Sequence, residues 1–120
     1  MHSDGASLTY RERIVAWRKG QRESARRERI GEARRIVEGA ARQFTFRRMY
    51  LFGSTVRSGA LSVWSDLDFA VEGLPREAFF GLLGYLAGQT RFEVDLKPLE
   101  SLPTDMQKRI RANGLVLHER

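Results

Sequence analysis

Cysteine is absent from this chain, so it can form neither a disulfide nor a thiolate metal site, and a reducing, cytoplasmic setting is the natural expectation. Histidine is scarce: His2 and His118 have no partner at metal-ligand spacing, which leaves no imidazole site to assign. Long apolar runs are also missing. No stretch approaches the roughly 20 residues that a membrane span needs, and residues 1–13 lack the apolar segment of a signal peptide, so a soluble protein is expected. There are no internal repeats and no low-complexity linker. With 120 residues, 42% of them hydrophobic, the chain is long enough for one domain with a core and too short for two.

Charge is plentiful but uneven. Residues 1–48 carry 13 Lys+Arg against 6 Asp+Glu, a net of +7, whereas residues 49–120 carry 8 against 9, a net of −1. The excess is almost all arginine, whose fork suits carboxylate or phosphate better than lysine does. Such a surface can face nucleic acid, an acidic protein or only water.

Thr9-Tyr10-Arg11-Glu12 has the form of a capping box, followed by the short apolar stripe of Ile14 and Trp17. Gly20 weakens this first helix. From Ser24 to about Gln43, Ile30, Ala33, Val37 and Ala40 or Ala41 recur at helical spacing, with arginine and glutamate on the other face. The period then changes to that of strands at Arg48–Phe52, Leu67–Val71 and Arg91–Lys97, the last stopped by Pro98. Pro75 opens a helix that runs to about Leu86, and a short helix at Pro103–Ala112 ends at Asn113-Gly114 before a final strand, Leu115–Leu117. The order predicts an α/β or α+β fold, a small mixed sheet with helices packed on one face.

Strand alternation sorts the acidic residues. In Asp66–Val71 the two aspartates and Ala70 share a face opposite Leu67, Phe69 and Val71, and Asp95 likewise lies opposite Val94 and Leu96. If the apolar faces share one core, Asp66, Asp68 and Asp95 converge on the other side. Carboxylates that close need a compensating cation, and magnesium, a hard ion completed by water and phosphate, fits them. Singly, D-x-D on a strand and a Gly-Ser turn are ordinary surface features. A Gly53-Ser54 turn able to hold phosphate, in one chain with three such carboxylates, is far more specific.

Leu51-Phe52-Gly53-Ser54, then Arg57 and Gly59, then Ser65-Asp66-Leu67-Asp68-Phe69-Ala70-Val71, resembles the signature of the DNA polymerase β-like nucleotidyltransferase superfamily, and within it the small, single-domain minimal nucleotidyltransferases. Val94-Asp95-Leu96 resembles the third-carboxylate strand, and Ile110–Glu119 resembles the usual C-terminus of these proteins. The resemblance covers residues 25–119. It implies a nucleotidyltransferase domain at 24–120 preceded by a basic helical extension at 1–23. It implies that Gly53 and Ser54 hold the triphosphate of ATP or another NTP, that Asp66 and Asp68 hold Mg2+, and that Asp95 contacts metal and helps deprotonate the attacking hydroxyl, as a base or through the metal. Arg57 stands where a cation meets the triphosphate or is a surface residue; Ser65 supports Asp66 or caps a turn. Trp17 reads as a core or interface anchor, and Trp64 as a cover for the sheet edge or a stacking platform. Arg47-Arg48 reads as solvated or phosphate-attracting.

Larger members of the superfamily carry an extra helical domain for the acceptor, for which this chain has no room. Small members often partner a HEPN-type toxin as its antitoxin, some moving AMP onto the toxin. The resemblance therefore implies transfer of an NMP, AMP first, to a hydroxyl of a partner protein. Two other classes stand beside it: a binding module that neutralises a toxin by covering it, and a nucleic-acid-binding protein. The last is disfavoured, because Glu23, Glu28, Glu32 and Glu38 interrupt the arginines and no aromatic stacking platform accompanies them. No membrane partner is expected, and a homo-oligomer is open.

Overall fold

The computed structural model describes residues 8–53 and 66–120. It opens with one continuous helix, α1 (Tyr10–Ala41), whose first turn is closed by the expected capping box: Glu12 N–H donates to Thr9 Oγ1 at 3.1 Å and Thr9 N–H donates to Glu12 Oε1 at 2.9 Å. Gly20 does not divide the helix. One interior glycine costs about 1 kcal/mol, less than the alanine, arginine and glutamate on either side supply together. Burial changes along α1: from Tyr10 to Arg22 every residue is exposed except the half-buried Ile14, while Ala33, Ile36, Val37 and Ala40 are fully buried. Trp17 is 64% exposed, which rules out a place in the core.

The remaining elements are β1 (Arg48–Phe52), β2 (Leu67–Glu72), α2 (Phe79–Gly88, preceded by a 3-10 turn at Arg76–Ala78), β3 (Val94–Pro98), α3 (Thr104–Asn113) and β4 (Leu115–Glu119). They follow the expected order, and the strands form one mixed sheet in the order β3-β2-β1-β4. β1 is antiparallel to both neighbours, and β2 runs parallel to β3, the crossover being supplied by α2.

Alternation along the strands divides the core as their sequences demand. Met49, Leu51, Leu67, Phe69, Val71 and Leu96 point to one side, where α1 and α2 bury them with Phe46, Leu82 and Leu86. Each such side chain contributes roughly 1.5–3 kcal/mol by leaving water. The two helices press together where α1 has no side chain: a Cβ at Gly39 would lie 2.4 Å from the Tyr85 hydroxyl. On the opposite face Tyr50 and Ala70 pack beneath Leu99 and Ile110 of the α3 region. Asp68 and Asp95 lie farther along that face and stay partly open to solvent.

Ion pairs pin the edges. Glu72, 12% exposed, receives Arg48 of β1 and Arg111 of α3 at 3.5 and 3.3 Å, and Arg48 also reaches Glu119 of β4 at 2.7 Å. Arg48 is therefore a cross-strand tie. His118 sits edge-on to Phe46 with ring centroids 5.1 Å apart, a packing role. On α1, Arg35 grips Glu32 with two bonds of 2.9 and 3.0 Å and donates to the Gln89 carbonyl at 2.7 Å, clamping α1 to the end of α2.

The Arg35 bonds, with help from Thr90, hold the Glu32 carboxyl at about 2, below its ordinary 4.5. A depressed folded value means stability that is present above the ordinary value and lost as pH falls through the folded one. Glu32→Gln should therefore unfold at lower urea than wild type at pH 7, and the gap should close as pH falls from 4.5 toward 2. Urea midpoints across that window test the clamp. A gap that stays constant with pH would show that the carboxylate charge plays no part.

Candidate active site

β1 ends at Phe52, which lies opposite Asp68 in the antiparallel register with β2. The next residue, Gly53, has φ +79°, a left-handed backbone that side chains disfavour, and a Cβ built there would stand 2.8 Å from Asp68 Oδ2. Gly53 thus lies directly on the Asp68 carboxylate. Any residue but glycine would push that carboxylate away.

The parallel register of β2 with β3 then sets Asp68 opposite Asp95, on strands about 4.8 Å apart. Both side chains are on the face away from α1 and α2. Asp66 stands at the start of β2, and its own N–H and that of Leu67 donate to the Glu93 carbonyl at 3.1 and 3.0 Å. Its carboxylate takes a different set of partners: Oδ2 accepts the Glu93 N–H at 3.1 Å and Oδ1 accepts Arg29 Nη2 of α1 at 3.3 Å. The Arg29 guanidinium lies over the Phe92 ring, 5.3 Å from its centroid, and its side chain is 19% exposed. Asp95 is paired with Lys97 of its own strand and face.

The structure therefore brings Gly53, Asp68 and Asp95 together, while the Asp66 carboxylate, expected to converge with them, is turned to Arg29 of α1 and the Glu93 N–H. Among the described residues, no three His, Cys, Asp or Glu side chains form a group that could hold a metal ion. Ser54, Arg57 and Ser65 lie outside the described residues, as does Trp64. Reasoning from sequence missed two cations. Lys97 was legible, since it follows Asp95 by one strand period; Arg29 was not, because nothing marks it among the arginines of α1. Their presence changes the electrostatics: Arg29 and Lys97 offset part of the repulsion that the carboxylates alone would assign to a divalent ion.

The donor chemistry nonetheless fits such an ion. Asp68 and Asp95 offer hard carboxylate oxygens with no competing sulfur or imidazole, the set that magnesium takes while leaving positions to water and phosphate. Beside Gly53 a groove of about 340 Å³ runs between the end of β1 and α3, lined by Phe52, Met106, Arg109, Ile110 and Asn113.

Gly53→Ala tests the contact between turn and carboxylate. It forces an alanine to φ +79° and into Asp68 Oδ2, so stability should fall by about 1–3 kcal/mol, and nucleotide affinity should fall by more than that loss explains. Wild-type affinity in a folded Gly53→Ala variant would separate the turn from the site.

Residues 33–118 match the nucleotidyltransferase domain family. No protein of curated function matches the chain. Among solved structures, a toxin–antitoxin complex with AMP-PNP aligns at 27% identity and a TM-score of 0.58, covering 72% of this chain and 73% of that one. The toxin–antitoxin MntA–HepT aligns at 25% identity and a TM-score of 0.53, covering 72% and 70%. A proposed nucleotidyltransferase from Sulfolobus solfataricus shares the fold at 22% identity, with a TM-score of 0.55 over 82% and 87%. No helix among the described residues is long and apolar enough to cross a membrane. With the family match spanning the sheet, α2, α3 and the C-terminal part of α1, this chain belongs to the nucleotidyltransferase domain family and is a transferase.

Proposed function

We propose that the protein is a magnesium-dependent nucleotidyltransferase that moves an NMP, with AMP the first candidate, from an NTP to a hydroxyl of a partner protein. We read that partner as a HEPN-type toxin and this chain as its antitoxin, acting in the cytoplasm. One observation carries the reading: the left-handed Gly53 turn rests on Asp68, which stands in register with Asp95. A phosphate-approaching turn and two carboxylates on one open face match the needs of phosphoryl chemistry, and relatives described as toxin–antitoxin complexes, one with AMP-PNP, favour the partner.

In this reading, Gly53 lets the backbone come close to the triphosphate, with Ser54, Arg57 and Ser65 of the following segment as further phosphate or supporting contacts. The groove along Met106, Arg109 and Asn113 takes the nucleoside. Asp68 and Asp95 would hold the metal, joined by Asp66 once Arg29 releases it, and the ion would offset charge on the phosphates and on departing pyrophosphate. The acceptor hydroxyl oxygen bonds to the α-phosphorus as the bond to the β-phosphate bridging oxygen breaks. Asp95 takes the hydroxyl proton, and Lys97 beside it holds that carboxylate in place beforehand.

A second reading draws on the ion pairs themselves. Because Arg29 and Lys97 already partner Asp66 and Asp95, the carboxylates can be satisfied without metal in a protein that only covers its partner. Label transfer separates the two: each of four α-labelled NTPs, with magnesium, is offered to a host lysate and to purified partner, using wild type, Asp66→Asn and Asp68→Asn. The transferase reading expects a labelled band that falls by about 10²-fold or more in either variant, with thermal unfolding little changed. Equal labelling by wild type and both variants would sink the carboxylate assignment. No label with any nucleotide, with purified partner present, would transfer the case to the covering module.

A further inference from the structure

α1 keeps one face along its whole length, and that face changes character. The side buried against the sheet is marked by Ala33, Val37 and Ala40. Stepping back toward the N-terminus by three or four residues at a time, the helical period, the same side continues as Arg29, Arg26, Arg22, Arg18, Val15 and Arg11. None of the helix's glutamates falls on it. Its inner end is at the active site, where Arg29 holds Asp66. Its outer part, from Arg11 to Arg22, is exposed, and no ion pair links Arg11, Arg18 or Arg22 to another described residue. At about 1.5 Å per residue the stripe extends about 27 Å from Arg29 to Arg11.

This is not how the rest of α1 treats its charge. Farther along, Arg35 is paired with Glu32 and Arg42 with Glu38. On the stripe, Arg18 faces Arg22 at i,i+4, and Arg22 faces Arg26, like-charge spacings that destabilise an isolated helix. An external anion would offset that repulsion. Within the stripe Val15 is 58% exposed, while Tyr10 and Trp17, 80 and 64% exposed, lie more than about 100° around the helix from its centre. Arginine with an exposed apolar residue, and no lysine, matches the composition of a protein–protein interface, where arginine is enriched and lysine depleted. A phosphate-tracking face would have little use for Val15 in its middle, and the flanking Glu12 and Glu23 would oppose a nucleic-acid backbone.

We infer that the N-terminal half of α1 is the acceptor-docking element: Arg11, Arg18 and Arg22 engage a carboxylate-rich protein surface and lead its hydroxyl side chain to Asp68 and Asp95. This deepens the proposed transfer and rests on it for the hydroxyl, while the docking itself needs no chemistry.

The test uses the full chain and two labelled probes, a random copolymer of glutamate and tyrosine and an oligo-uridylate of equal charge, measured by fluorescence anisotropy at about 50 and about 200 mM NaCl. The variants are Arg11→Glu/Arg18→Glu/Arg22→Glu and a control with the same change in net charge on exposed residues elsewhere, Arg76→Glu/Lys108→Glu/Arg120→Glu. Copolymer binding should weaken by about tenfold or more in the stripe variant and by less than about threefold in the control. If circular dichroism shows helix loss in the stripe variant, Arg11→Gln/Arg18→Gln/Arg22→Gln replaces it and should weaken binding by about fivefold. Equal loss in stripe and control variants, or no copolymer binding by wild type, overturns the inference. Tighter stripe-dependent binding of oligo-uridylate also overturns it, in favour of nucleic acid. Asp68→Asn should bind the copolymer as wild type does, and copolymer binding by a wild-type chain that transfers no label would fault the proposed chemistry and leave the docking intact.

Discussion

The register of three adjacent strands is the constraint from which the site follows. Phe52 lies opposite Asp68 and Asp68 opposite Asp95, so the end of β1 and the two carboxylates meet at one end of the sheet. A slip of one residue between β1 and β2 would send Asp68 into the core and expose Leu67 or Phe69. Such a slip is opposed by every apolar side chain beneath α1 and α2. The hydrophobic core and the site geometry are thus one specification, and Gly53 is the point at which they touch.

Electrostatics at that end of the sheet are balanced in part within the chain. Asp66 has Arg29 and the Glu93 N–H, and Asp95 has Lys97. Partly exposed pairs of this kind are worth little as stability. Their consequence is orientation: Arg29 draws the Asp66 carboxylate toward α1, while Asp68 faces the turn. An incoming cation would compete with Lys97 for Asp95 and with the guanidinium for Asp66.

Much of this was legible in the sequence because two signals agreed. Period-two alternation in Leu67–Val71 and around Asp95 identified the strands and the polar face, and the capping box at Thr9 and the prolines at 75, 98 and 103 marked helix starts and a strand end. What escaped were contacts between residues far apart in the chain. Arg29 and Asp66 are separated by 37 positions, and only tertiary packing decides which arginine of many makes that bond. The core place for Trp17 failed for a related reason: the stripe of Ile14 and Trp17 has helical spacing, but helical spacing does not say whether a neighbour exists in the chain. Gly20 misled because its cost is real locally and small against a helix of 32 residues.

That continuity of α1 has a mechanical consequence. A domain of this size has few elements to spare, and α1 is the one whose length, about 48 Å by its rise per residue, exceeds the 31 and 26 Å of the molecule's shorter dimensions. Its C-terminal half is fixed by burial against the sheet and by the Arg35 clamp to Gln89. Its N-terminal half is one unbroken helix with it, with no proline and no hinge among its residues. Whatever rests on Arg11, Arg18 and Arg22 is therefore held at a distance from Asp68 and Asp95 that the helix sets, in line with Arg29. A flexible basic tail of the same charge would attract the same anion but would leave its position to chance. The rod makes attraction and placement the same property, and accuracy of placement is what a transfer between two bound groups requires.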